Sequence, residues 1–422
     1  MTVSVTAPTT PTTPATGGTS LVNNALLWTG GAISVPVIMM GTFLAPLGWG
    51  KAMTAAVLGH LIGCIVLYLV TIIGARSRRT ALEAASDTFG TAGSQLFASL
   101  NVVQLVGWTS IMIFDAALAA NGISQLGVWA WALITGVLIF AWIFVGVNRL
   151  GILTTISVAL LAVLCLYLSL KVFGVALPNI NPLNQGVVTD PGTGNSASPI
   201  SFGAALEIAT VDVLSWVPIM ADYTREARRP VPAAGVSVVA LFVTSIWMFA
   251  IGIGASILTA SDDFAQILLQ VGLGVVGLII IIFSTVTTTF LDAWSSGVSA
   301  TAITSRFTAR HIALAVTIVG TVAAMFLNMD SIIFFLNYIG AVFAPMAAVM
   351  IVDHFATGNS NAHGSNAHGT TSPSRLNWWN FGVWLVGFIT YLVLLQLALP
   401  IGASLPVLAI TAALAWVVGL RR

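Results

Sequence analysis

Long apolar runs separated by short polar connections set the pattern of this chain. Twelve runs near 24–48, 52–75, 94–120, 127–147, 151–174, 201–221, 232–258, 267–303, 311–327, 331–352, 378–398 and 402–420 reach the length a helix needs to cross about 30 Å of hydrocarbon. They predict an all-α polytopic membrane protein with twelve transmembrane helices, numbered here as spans 1 to 12. Composition agrees: 58% of residues are hydrophobic and 6% charged, against about 25% charged in a soluble domain.

The polar connections carry the orientation. Of 14 Lys and Arg residues, all but Lys51 and Lys171 fall on one side of the implied membrane: Arg76, Arg78, Arg79, Arg149, Arg225, Arg228, Arg229, Arg306, Arg310, Arg375, Arg421 and Arg422. Positive residues near helix ends are retained in the cytoplasm, so both termini are expected there, in a cell membrane. The net charge of +1 gives no reason to expect a nucleic-acid partner, and these arginines read as topology signals. Cys64 and Cys165 sit inside spans without a spacing that supports a disulfide or zinc site.

Between the spans, residues 1–22 are Thr- and Pro-rich and read as a disordered cytoplasmic tail. Residues 355–377 hold the tandem SNAHG SNAHG and read as a cytoplasmic linker. This leaves a core over 23–354 and two added spans over 378–422. The connections 79–90 and 259–270 mix apolar and polar positions at helical spacing, and both contain Ala-Ser-Asp-x-Phe, at Ala85–Phe89 and Ala260–Phe264. Spans 1–5 and 6–10 overlay with opposite orientation, which predicts an inverted repeat; transporters built this way bind substrate near the midplane, where broken helices free backbone groups.

Two spans carry the marks of such breaks. Span 1 reads LLWTGGAISVPVIMMG, with Gly30, Gly31 and Pro36 inside six residues of one another. The freed carbonyls around Gly31, Ala32 and Val35, with the Ser34 hydroxyl, are candidate ligands for a small cation; the plainer reading is a kinked helix in close packing. Span 6 places Glu207 and Asp212 in the membrane, followed by Trp216 and Pro218. An intramembrane acid is costly unless it faces a polar cavity or a partner, which makes Asp212 a substrate-binding candidate, or a hydrogen-bonded tie between helices. Glu207, nearer the outer surface, is a candidate gate.

In span 3, Gln104, Trp108, Met112 and Asp115 share one helix face. Trp108 near the midplane suits stacking on a flat ligand as well as ordinary packing, and Asp115 lies further out, toward an exit path. Span 8 reads STVTTTFLDAWSSG, with Thr287 and Thr288 beside Thr289 and Asp292. Adjacent hydroxyls suit a hard cation such as Na⁺, although threonines also bond back to their own helix.

Taken together, WTGG in span 1, Gln104-x-x-Gly107-Trp108 in span 3, Ala221-Asp222-Tyr223-Thr224-Arg225 closing span 6, and the Thr-rich span 8 resemble nucleobase:cation symporter family one, the cytosine/purine permease group, and within it the hydroxymethylpyrimidine (CytX) type. The resemblance, over roughly 22–420, implies a LeuT-like fold of two inverted five-helix repeats plus two helices. It implies that Trp108 stacks on a heteroaromatic ring, and that Thr287 and Thr288 join span 1 carbonyls around sodium. Both Na⁺- and H⁺-coupled members exist. Many members carry a glutamine and an asparagine where this chain has Met112 and Thr289, which turns the expectation from cytosine toward hydroxymethylpyrimidine, a thiamine precursor with an aminopyrimidine edge that Asp212 or Asp292 would read. Cytosine, another nucleobase or a hydantoin is the alternative cargo.

The expected activity is therefore cation-coupled secondary transport of a small pyrimidine across a lipid bilayer, without a cofactor. A membrane enzyme is disfavoured by the lack of HExxH and Gly-x-Ser-x-Gly patterns. A channel is disfavoured because the buried acids cluster centrally.

Overall fold

The computed structural model describes residues 18–145, 147–176, 200–261, 264–301, 303, 306–357 and 375–421, and every one of the twelve predicted spans falls on helix. Among the described residues eight helices are long and apolar enough to cross a membrane alone, and the bent pair Leu21–Ala32 and Val35–Leu47 makes a ninth. Two shorter apolar helices, Ala309–Ala324 and Ser404–Gly419, are spans 9 and 12. Span 6 is broken: Phe202–Leu214, an irregular turn, then Met220–Thr224. The SNAHG repeats and most of the N-terminal tail lie outside the described residues.

Helix packing sorts the core into two groups. Span 2 (Trp49–Ser77) packs along span 6 and span 7 (Pro230–Thr259), and span 7 packs on both halves of span 1. Span 3 (within Ala81–Ile123) packs along span 8 (Gly274–Thr301), and these two with span 4 (Val128–Val145) and span 9 form the second group. Span 5 (Val147–Ala176) lies against spans 7 and 8. The broken spans therefore belong to one body and the Trp108 and threonine faces to the other.

The two halves repeat in backbone detail. Span 2 ends on Arg78 in the left-handed region (φ 52, ψ 37) and span 7 on Ala260 (φ 51, ψ 38). After each comes a short helix, ending at Gly90 in one half and running over Phe264–Gln270 in the other. Gly90 (φ 79) and Gly272 (φ 82) then turn the chain into spans 3 and 8, a conformation open to glycine because it has no Cβ. The run predicted over 267–303 is thus a surface helix and a span divided at Gly272.

Connections rich in arginine gather at one end. Thr19 bridges Ala227, Arg78 Nη1 donates to the carbonyl of Arg225 at 3.2 Å, Arg225 pairs with Glu83 at 3.4 Å, and the Arg76 guanidinium lies over the Phe355 ring. Spans 10 (Met329–Phe355), 11 (Trp378–Gln396) and 12 pack together beside the core. On span 11, Leu385, Ile389 and Val393 are exposed at a spacing of four, a stripe that faces lipid in a membrane protein.

Candidate functional site

Span 1 breaks where its glycines and proline place the weakness. Its two halves meet at 57°. Ile33 and Ser34 take extended conformations (ψ 93 and 152), and Pro36 has no N–H to give the carbonyl of Ala32. Ile33 still bonds to Thr29 and Ile38 to Ser34. Gly31, Ala32, Ser34 and Val35 surround this break, and the Ser34 side chain forms no cap bond with its helix. On span 8, the hydroxyls of Thr287 and Thr288 both donate to the carbonyl of Ser284, at 2.9 Å. That is the back-bonding geometry; it leaves each oxygen's lone pairs available to a cation.

Span 6 unwinds over Ser215–Ile219. Pro218 removes one possible donor to Ser215, and the Ile219 amide turns to the carbonyl of Trp216 instead. The Ser215 carbonyl is taken by Gln104 Nε2 of span 3, at 2.8 Å. Gln104 is fully buried, Asn101 Oδ1 lies 3.4 Å from the same nitrogen, and among the described residues Gln104 Oε1 has no partner. Thus a side chain of the second group grips the broken helix of the first beside Trp216.

Around this grip the predicted residues divide. Trp108 is buried and meets Phe335 edge-on at 5.4 Å, and a Cβ on Gly107 would run into that same ring. Thr289 donates to Met112 Sδ at 3.3 Å, so the two positions that depart from the family pattern touch each other. Asp292 is buried and, among the described residues, its Oδ2 has no partner. Asp115 is buried, and among the described residues both its carboxyl oxygens are unpartnered.

Asp212 instead faces span 2, its Oδ2 lying 3.3 Å from His60 Nε2. Glu207 is held by four donors: Tyr391 Oη at 2.5 Å, the Ala403 and Ser404 amides at 2.8 Å each, and Ser404 Oγ at 2.6 Å. Those amides open span 12, so Glu207 binds the added helices to the core by satisfying a helix N-terminus.

Three contributors escaped the sequence reading. Trp28 of span 1 is buried, meets Trp216 edge-on at 5.2 Å and Tyr223 at 5.8 Å, and has an Nε1 unpartnered among the described residues. Tyr223 reaches Ser295 of span 8 at 3.2 Å. An aromatic layer thus joins spans 1, 6 and 8 toward the end that carries the N-terminus. His60, the third, was detectable as an ionisable residue well inside a span; nothing in sequence placed Trp28 against Trp216. None of these residues lines the surface hollow of about 410 Å³ that is bounded by Ile73, Arg76, Ser77, His354 and Phe355.

Two inverted halves, each opened by a broken helix set against a second helical body, define a membrane transporter and not an enzyme. The family model for permeases of cytosine/purines, uracil, thiamine and allantoin matches residues 13–419. The chain belongs to that family. Among curated proteins it is similar to the cytosine permease of Escherichia coli (strain K12), 25% identical over 355 residues, 84% of this chain and 79% of that one. The cytosine permease of Escherichia coli O157:H7 matches over the same shares.

Solved structures carry the same fold. Mhp1, a nucleobase-cation-symport-1 family transporter in a closed conformation with bromovinylhydantoin bound, aligns with TM-score 0.71 at 19% identity over 97% of this chain and 95% of that one. Inward-facing Mhp1 aligns with TM-score 0.75 at 18% identity over 97% and 94%. A Na⁺-coupled sialic acid symporter in its substrate-bound outward-open state aligns with TM-score 0.55 at 13% identity over 94% and 95%.

Proposed function

We infer that the chain imports a small pyrimidine by cation-coupled alternating access, with both termini cytoplasmic, and that hydroxymethylpyrimidine is its cargo. The observation that carries the reading is the meeting of Gln104, Ser215 and Trp216 at the junction of the two helical groups. Trp108, four residues from Gln104, supplies a stacking face. Asp292, with a free carboxyl oxygen, accepts from the exocyclic amine of the ring, because Asp212 is turned to His60. The contact of Thr289 with Met112 makes that wall less polar than a glutamine and asparagine would, which favours a methylated aminopyrimidine over cytosine.

A sodium ion at the break of span 1, ligated by carbonyls of Gly31, Ala32 and Val35 with Ser34, Thr287 and Thr288, would order the two helices that the substrate also needs. Cation and ring then favour the same state, which is coupling by linkage. Asp115 belongs to the outer pathway in this reading, and Glu207 fixes the outer part of span 6 against span 12.

Thermal unfolding of the purified protein against hydroxymethylpyrimidine, cytosine, uracil, thiamine and hydantoin, each with and without Na⁺, tests it, since a ligand of the folded form raises the melting temperature. The expected result is a shift with hydroxymethylpyrimidine that grows with Na⁺. A shift with cytosine alone moves the cargo, and no shift with any ring removes the case for one.

A further inference from the structure

We propose that His60 and Asp212 form a proton-binding site inside the transport core, and that its proton enters the cell with the ring. His60 is wholly buried and the Asp212 side chain is 4% exposed. Span 2 and span 6 approach unusually closely there: a Cβ on Gly59 would lie 2.6 Å from that of Ala209, and one on Gly63 2.6 Å from that of Val213. Water is squeezed from such a crossing.

Hydrogen-bond bookkeeping then fixes where a proton must be. His60 Nδ1 lies 2.8 Å from the carbonyl oxygen of Ala56, and a carbonyl only accepts, so Nδ1 carries a hydrogen. In the neutral ring Nε2 is left as a lone pair that, among the described residues, has no hydrogen-bond partner, with Asp212 Oδ2 3.3 Å away. A carboxylate facing that lone pair, with no solvent, is repulsive and uncompensated. One proton shared between Nε2 and Oδ2 removes both faults, whether the pair is histidine with carboxylic acid or imidazolium with carboxylate.

Among the described residues the surroundings supply no other counter-charge. Cys64, one turn beyond His60, is a buried thiol within electrostatic range of Asp212. Phe249 of span 7 meets the imidazole edge-on at 4.7 Å. Span 7, span 12 and the helix Val35–Leu44 contain no titratable residue. On span 10, Tyr338 donates to the Leu100 carbonyl of span 3, and Asp353 and His354 belong to its far end. In the span 3 helix Glu83 and Asp87 lie on the surface segment, and Asp115 lies three turns beyond Gln104 toward the opposite end. Asp222 caps Ala81 at the membrane face, and Glu207 is occupied by span 12.

Position supplies the coupling. Asp212 precedes the unwound segment by three residues, and Ser215 Oγ donates to its carbonyl at 2.5 Å. With the proton, the crossing is neutral and stays dry, holding Ser215 for Gln104; once the proton has left, the charged carboxylate draws water and favours an open state. Proton and ring thus favour one closed conformation, and each raises the other's affinity.

This rests on the reading of the chain as a ring importer for its cargo alone. The full protein in liposomes with equal Na⁺ inside and outside, with trapped pH dye, is given whichever ring compound produces the thermal shift, under an acid-outside gradient. Ring accumulation with proton entry is expected. His60→Gln is expected to lower gradient-driven accumulation at least about tenfold while ring counterflow at equal pH persists, the mark of lost coupling and not lost binding. Asp212→Asn provides a second test, because it should abolish proton entry in any vesicle where counterflow shows it folded. Ring uptake without proton entry in the unaltered protein, or undiminished proton entry in both variants, overturns the proposal. Absence of any ring uptake or counterflow overturns the cargo reading and this proposal with it.

Discussion

Gln104 Nε2 donates to the carbonyl of Ser215 at 2.8 Å, joining an intact helix of one body to the unwound middle of another. The bond exists because Pro218 cannot supply a backbone donor and Ile219 supplies its own to Trp216. Replacing Gln104 by Leu leaves a buried carbonyl unpaired, a penalty of about 1–3 kcal/mol. Lower melting temperature together with weaker ring binding is the expected result by calorimetry and thermal shift. Binding unchanged with stability lowered would make the bond a tie only.

Trp108 provides the ring face in this reading. Stacking of a base on an aromatic side chain is worth about 1–3 kcal/mol by alanine substitution, so Trp108→Ala should weaken ring affinity by the corresponding factor while the protein still inserts. Trp108→Phe should retain much of it. Equilibrium binding of radiolabelled ligand to both variants measures this, and equal affinity in the alanine variant would remove the stacking role.

Glu207 accepts from four groups of spans 11 and 12 or the turn between them. In Glu207→Gln an amide NH₂ faces donors that expect an oxygen. Hydrogen bonds to a charged group contribute about 1.5–3 kcal/mol each, so a clear fall in melting temperature is expected, with uptake falling in proportion to folded protein. A change in substrate KM at unchanged stability would point to a gate.

Asp222, one residue past the apolar run 201–221 and in the short helix Met220–Thr224 at the membrane face, accepts from the Ala81 amide at 2.9 Å. Burial pushes its carboxyl up to about 7 from 3.8, with Glu83 adding to the rise and the Ala81 N–H and Arg225 opposing it. Between those values the folded chain binds more protons than the unfolded one, so this contribution to stability is complete on the acid side and is lost as pH rises through about 7. Thermal unfolding from acid to neutral pH should show that decline, and Asp222→Asn should flatten it.

Much of the architecture was legible before any coordinates. The twelve apolar runs, the arginine asymmetry and the Gly-Gly-x-x-x-x-Pro and Trp-Val-Pro interruptions are local signals, because lipid forces backbone groups to pair within the segment and so makes any break visible in composition. The contact between Met112 and Thr289 was not legible there.

What sequence alone determined is the membrane-spanning α architecture, the number and order of spans, and where helices break, since each depends on residues near in the chain. Tertiary structure decided the partners. Asp212 turned to His60 and not to the Gln104 face, Glu207 reached span 12 from 196 residues away, and Trp28 closed on Trp216. Helix periodicity gives the face on which a side chain sits but not the helix opposite. That choice comes from which small residues let two helices meet, as Gly59 and Gly63 do against Ala209 and Val213, and from the requirement that buried polar groups find one another.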